Sequence, residues 1–184
     1  MPERKARRER NCTGQSISEF GATITVLIVL ILIPLLSLAF VPIRYSMCQG
    51  VISDLIVRLA HSEKRSDAYR TFLTDQRWRK LLAGCGADVR SAKLVLVAST
   101  SGGKQIIIDE KSRVPPEWLP DGKNNPCIYS LHIDCECGIA PLFGSTGNIT
   151  GINAPVPLTV SSSAHWDNQS RDPKDPNLAF CIDE

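Results

Sequence analysis

Charge of one sign is scarce in this chain. Across 184 residues, 21 Lys and Arg face 19 Asp and Glu, a net of +2. That balance is too slight to draw the chain onto a polyanion, and no nucleic-acid partner is expected. Catalytic signatures are missing as well. The three histidines, His61, His132 and His165, stand apart, with no nucleophile–base pair readable around them. Ser101-Gly102-Gly103-Lys104 lacks the G-x4-G-K-S/T spacing of a phosphate loop and reads as a hairpin turn. No internal repeat is visible. The chain is not expected to be an enzyme, and nothing in it calls for a cofactor.

The most informative absence is local. From Phe20 to Ile43, 24 residues carry no charge. At ~1.5 Å per residue such a helix is about 36 Å long, enough for a hydrocarbon core of ~30 Å. The +2 is unevenly placed around it. Arg4, Lys5, Arg7, Arg8 and Arg10 outweigh Glu3 and Glu9 in the first 14 residues, leaving 16 basic and 17 acidic groups in the rest. The basic leader therefore stays in the cytoplasm and the C-terminal portion is exported. This predicts a single-pass inner-membrane protein with a periplasmic domain. The organisation is a basic leader over 1–14, a transmembrane and assembly helix over 15–43, and an extracytoplasmic α+β domain over 44–184.

Cysteine usage agrees with that orientation. Cys12 lies in the leader, and Cys48, Cys85, Cys127, Cys135, Cys137 and Cys181 all follow the apolar segment. An oxidising compartment lets disulfides persist there, so these six are disulfide candidates, expected to be mostly or wholly oxidised. Six cysteines allow fifteen pairings, among which the sequence does not choose.

Past Arg44 the helical pattern resumes. Ile52, Leu55, Ile56 and Leu59 form one apolar stripe, with Asp54 and Arg58 paired on another face. Pro34 predicts a kink, and Pro42 marks either the outer end of the helix or a second kink. A second amphipathic helix is expected from about Asp67 to Ala83, capped by Ser66 or Asp67 and ended by Gly84. The basic residues of the stretch 61–80, Lys64, Arg65, Arg70, Arg77, Arg79 and Lys80, read as a solvated helix face, with Trp78 turned into the core. Strands are expected over 93–100, 105–108, 127–137 and 157–166, the first two joined by the Ser101–Gly103 turn. The fold class is thus α+β: a long N-terminal transmembrane helix, a second amphipathic helix, then a small antiparallel sheet.

His132, Asp134, Cys135, Glu136 and Cys137 could be taken for a zinc site. On a strand, however, His132, Asp134 and Glu136 share one face, while Cys135 and Cys137 share the other with Ile133. Structural cysteines are favoured over metal ligands. Asp167, Asp172 and Asp175 could line a calcium loop, but read better as a solvated tail.

The junction of leader and apolar run carries the strongest motif: Arg10-Asn11-Cys12-Thr13-Gly14-Gln15-Ser16-Ile17-Ser18-Glu19-Phe20. A carboxylate at the mouth of a membrane helix is costly if buried and usually marks function. Gly14, four residues, then Glu19-Phe20 resembles the class III signal of type IV pilin-like proteins. The Gly-Gln-Ser context and the chain length most resemble the TadE-like pseudopilins of the tight-adherence (Flp) pilus. The resemblance implies a pilin-like fold and cleavage between Gly14 and Gln15 by a prepilin peptidase. It implies retention of the helix as the assembly element, and a role for Glu19 and Phe20 in packing with other pilin subunits. The implied role is that of a minor pilin or pseudopilin in assembly or priming of the pilus, together with the inner-membrane assembly machinery and in support of surface attachment. Gln15 stands where ordinary type IV pilins carry Phe or Met, but a small or polar residue suits the tight-adherence branch. The rival is an ordinary signal peptide, cut after Ser37-Leu38-Ala39, that releases a disulfide-stabilised binding domain. It leaves Glu19 unexplained, and the uncharged run is longer than a typical signal core.

Overall fold

The computed structural model describes residues 18–124, 127–141, 154–172 and 179–183. One helix, α1 (Ser18–Ala60, 43 residues), runs from the apolar segment into the domain without a break. Two short helices follow, α2 (Arg65–Thr74) and α3 (Arg77–Gly84). Four strands complete the fold: β1 (Ala87–Thr100), β2 (Gln105–Ile108), β3 (Cys127–Ile139) and β4 (Val156–His165). They form one antiparallel sheet in the order β2-β1-β3-β4. The C-terminal half of α1 lies on β3 and on the edge strand β4. A long apolar N-terminal helix on a four-stranded antiparallel sheet is a pilin-like α+β arrangement, as the sequence predicts.

The expected stripe of α1 makes the core contact. Ile52, Leu55, Ile56 and Leu59 are each at most 1% exposed. They face Leu94, Leu96, Leu131, Ile133 and Val160 of the sheet, within one apolar cluster. Each such side chain removed from water contributes about 1.5–3 kcal/mol. The Asp54–Arg58 pair forms as expected, with 3.1 Å between Oδ2 and Nε, on the outer face. Gln49 Nε2 donates to the Ser161 carbonyl of β4 at 2.8 Å, so the helix also occupies a backbone group of the sheet edge.

Three expectations need correction. The second helix is two helices. Asp75 leaves helical geometry (φ −75°, ψ 103°), and its Oδ1 accepts the Arg77 N–H at 2.8 Å, so one side chain both stops α2 and starts α3. Strand β1 begins six residues before Lys93, because a bulge between Val89 and Ser91 interrupts the alternation and hides the period. The basic face is not wholly solvated, since Arg65 is 4% exposed and Nη2 donates to the Ser112 carbonyl at 2.9 Å.

Trp78 is fully buried, as expected, and stacks on Phe72 with ring centroids 5.5 Å apart. Arg79 lies 5.1 Å over its indole. Trp78→Ala is expected to cost about 3–5 kcal/mol, a fall of about 6–20 °C in the thermal midpoint of the whole chain in detergent, read by circular dichroism. Leu81 on the same helix is 47% exposed, so Leu81→Ala is the control and should change the midpoint little.

Candidate functional site

The residues that the sequence singles out fall along α1 and at the point where it meets the sheet. Gly14 and Gln15, the expected cleavage residues, lie outside the described residues, as do Cys12 and Asp175. Glu19 and Phe20 occupy the first described turn of α1, both exposed. From Phe20 to Ile43 the large apolar side chains are almost all exposed, with Phe20 and Leu30 at 67%. This half of the helix is long and apolar enough to cross a membrane. By length and composition it suits a single membrane anchor or a signal sequence.

Two of the three hydroxyls inside the apolar half bond back along the helix, while the Ser37 hydroxyl is buried without a hydrogen-bond partner among the described residues. The Thr23 hydroxyl donates to the Glu19 carbonyl at 2.8 Å, and Thr25 to Gly21 at 2.9 Å. Pro34 has no N–H, and its ring crowds the preceding turn. The helix answers with a π turn over Ile28–Leu32, closed by the Ile33 N–H on the Ile28 carbonyl. Pro42 is carried inside the helix, so of its two readings the longer helix holds and the outer end does not.

Arg44 is the first charge after the apolar run, and it folds onto the domain. Its Nη1 donates to the carbonyl oxygens of Ala140 and Pro141, at the end of β3. Gly86, at the α3–β1 corner, lets it pass. Gly86 has φ +80°, and a Cβ there would stand 2.9 Å from Arg44 Nη1. The Gly86 carbonyl accepts the Ala140 N–H at 2.8 Å, which ties the corner to β3. Gly84 ends α3 as expected, but the left-handed residue is Gly86. Gly86→Ala is expected to cost about 1–2 kcal/mol for the left-handed backbone alone, seen as a lower thermal midpoint.

One turn beyond Arg44, α1 brings Cys48 against three other cysteines. Cys48 lies near Cys85, Cys137 and Cys135. Burial, then the neighbouring Cys137, Cys85 and Cys135, push the Cys48 thiol up to about 11. Burial, then Cys137, lifts Cys135 to about 11. At neutral pH these are protonated, unreactive thiols. All six described cysteines are free thiols, so the disulfides expected from the sequence are not present in this structure. Cys127 and Cys181 belong elsewhere. Cys127 Sγ donates to the Asn124 carbonyl at 3.1 Å, and Cys181 Sγ lies 3.9 Å from Ser170 Oγ.

The two faces of β3 separate as predicted. Cys135, Cys137 and Ile133 are buried, whereas Asp134 and Glu136 are exposed and bonded to Ser161 and Ser91. Among the described residues no group of three His, Cys, Asp or Glu could hold a metal ion. The expectation of a solvated acidic tail fails at Asp172, which is 4% exposed and paired with Lys64. Asp167 instead lies between His61 and His165, 3.5 and 3.8 Å away. Sequence reasoning missed the Arg44–Gly86 junction and the thiol cluster, because both depend on which corner of the sheet meets the helix. Comparison with protein-family models, with curated proteins and with solved structures finds no match to this chain.

Proposed function

We propose that this chain is a minor pilin-like subunit, a pseudopilin of a tight-adherence pilus, that acts in fibre assembly or priming. The observation that supports this reading is the division of labour along α1. Its N-terminal half presents exposed apolar side chains, while its C-terminal half is built into the sheet domain. Such a helix can leave lipid for a bundle of like helices without unfolding its domain. In that bundle Glu19 is withdrawn from water and needs a cation. The amine created at Gln15 of an adjacent subunit supplies it, once the prepilin peptidase has cut after Gly14. The other partners are pilin subunits and the assembly machinery of the inner membrane, with the leader cytoplasmic and the domain periplasmic. N-terminal sequencing and intact mass of the membrane-extracted protein test the reading. The expected N-terminus is Gln15. An N-terminus at Phe40 establishes the secretory alternative instead.

A further inference from the structure

The four thiols beneath α1 are unlike in their freedom to pair. Cys135 and Cys137 are two residues apart on the extended strand β3, which is hydrogen-bonded on both sides, to β1 and β4. Their side chains point the same way, about 6.7 Å apart at ~3.3–3.4 Å per residue. A disulfide needs Cβ atoms about 3.5–4.5 Å apart, so these two cannot join each other without breaking the strand. Cys127 begins the same strand, ten residues before Cys137 and about 33 Å away. Cys48 and Cys85 differ. Their thiols lie close enough to interact, and Cys85 follows the last turn of α3, immediately before Gly86, which the side chain of Arg44, one turn before Cys48 on α1, passes.

We propose that Cys48 and Cys85 form a disulfide that staples α1 to the α3–β1 corner, while Cys135 and Cys137 remain buried thiols beside it. The proposal rests on the exported location of the domain. The oxidant is a protein or small-molecule disulfide of that compartment. One thiolate attacks the carrier disulfide, releases one carrier thiol and forms a mixed disulfide. The second thiolate then displaces the other carrier sulfur. One S–S bond forms in the protein and one breaks in the carrier. Two electrons and two protons pass to the carrier, which leaves as a dithiol. Burial raises the Cys48 thiol once the cluster has closed, so exchange belongs to folding, before α1 docks on the sheet. The staple acts at the same corner as Arg44, whose guanidinium reaches the Ala140 and Pro141 carbonyls. Together they fix the helix to the domain immediately outside the apolar run.

Tryptic cleavage separates the candidates. Cys48 falls in the peptide 45–58 and Cys85 in 81–90, whereas Cys127, Cys135 and Cys137 share 124–171. The full chain is extracted from membranes with the thiols blocked at once by N-ethylmaleimide, then digested without reductant. A second sample of purified protein is unfolded, reduced and refolded with oxidised glutathione. The expected product in both is 45–58 linked to 81–90, with loss of the blocked Cys48 thiol. Cys135 and Cys137 should be modified only after unfolding. Linkage of 45–58 to 124–171, linkage of two copies of 45–58, or a blocked Cys48 in both samples overturns the pairing. The expected link in the refolded sample alone upholds the pairing and counts against export, so the two readings fail separately.

Discussion

Replacing Gly14 by a bulky residue such as Arg is expected to leave the unprocessed 184-residue precursor in the membrane. Glycine has no Cβ, and a peptidase cleft that grips the backbone at the scissile bond has no room for one. The consequence extends beyond the missing cut. The leader carries a side-chain sum of +3 from five basic and two acidic residues, and the uncut chain keeps it. Each such charge moved toward the bilayer centre costs about 2.5–3.5 kcal/mol, so an uncut helix cannot slide into an apolar bundle. The amine of Gln15 is never formed either. Processing and piliation should therefore be lost together, while insertion and the domain fold persist. Immunoblotting against wild-type protein reads the first, and electron microscopy of cells reads the second. A normal-sized mature product from the Gly14 variant would refute cleavage at this site. The secretory alternative makes the opposite forecast, because a cut after Ala39 is indifferent to Gly14.

Glu19→Ala is expected to give stable, inserted, processed protein that assembles poorly. The structure shows why folding should be spared. Glu19 is exposed, and the hydrogen bond to Thr23 uses its backbone carbonyl, which alanine retains. The first core contact of α1 is at Val41, 22 residues further on, about 33 Å along the helix. Loss of a charge from the mouth of the helix also favours insertion. Association between subunits is a different matter. Removal of one partner from a buried ion pair costs about 3–5 kcal/mol, a hundredfold or more in affinity. At matched expression the variant should co-purify weakly with other pilin subunits and support few fibres. Full piliation by Glu19→Ala would reduce the carboxylate to a hydrated interface residue.

Periodic signals carried much of this fold in advance. The apolar run, the Ile52–Leu59 stripe, the burial of Trp78 and the two-faced character of β3 are all local patterns. Each could be read because side chains repeat every 3.6 or every two residues. What escaped was non-local or locally contradicted. A single Asx turn at Asp75 split a helix whose apolar spacing ran on across the break. Arg65 and Asp172 looked like surface charges, and are buried because the C-terminal segment returns, with Ile182 fully enclosed. Pro42 left an outer end and a longer helix both open, and the next turns decide it, with Arg44 bonded to the Pro141 carbonyl and Cys48 fully buried. The cluster of four thiols joins residues 37 to 89 positions from Cys48, and no spacing rule connects them.

The unbroken helix has a mechanical consequence. The helix is continuous from the apolar half of α1 into the half inside the domain, so a change of axis in one half is passed to the other. Transmembrane helices tilt by ~20° on average, and the tilt adjusts to bilayer thickness and to neighbours. With the apolar run seated in a bilayer, the segment from Arg44 to Ala60 would extend about 24 Å beyond it. A 20° change in tilt swings its far end sideways by about 8 Å, and the sheet is carried with it. On the proposed function, packing at the buried end of the lever would be reported as displacement of the domain's distal face.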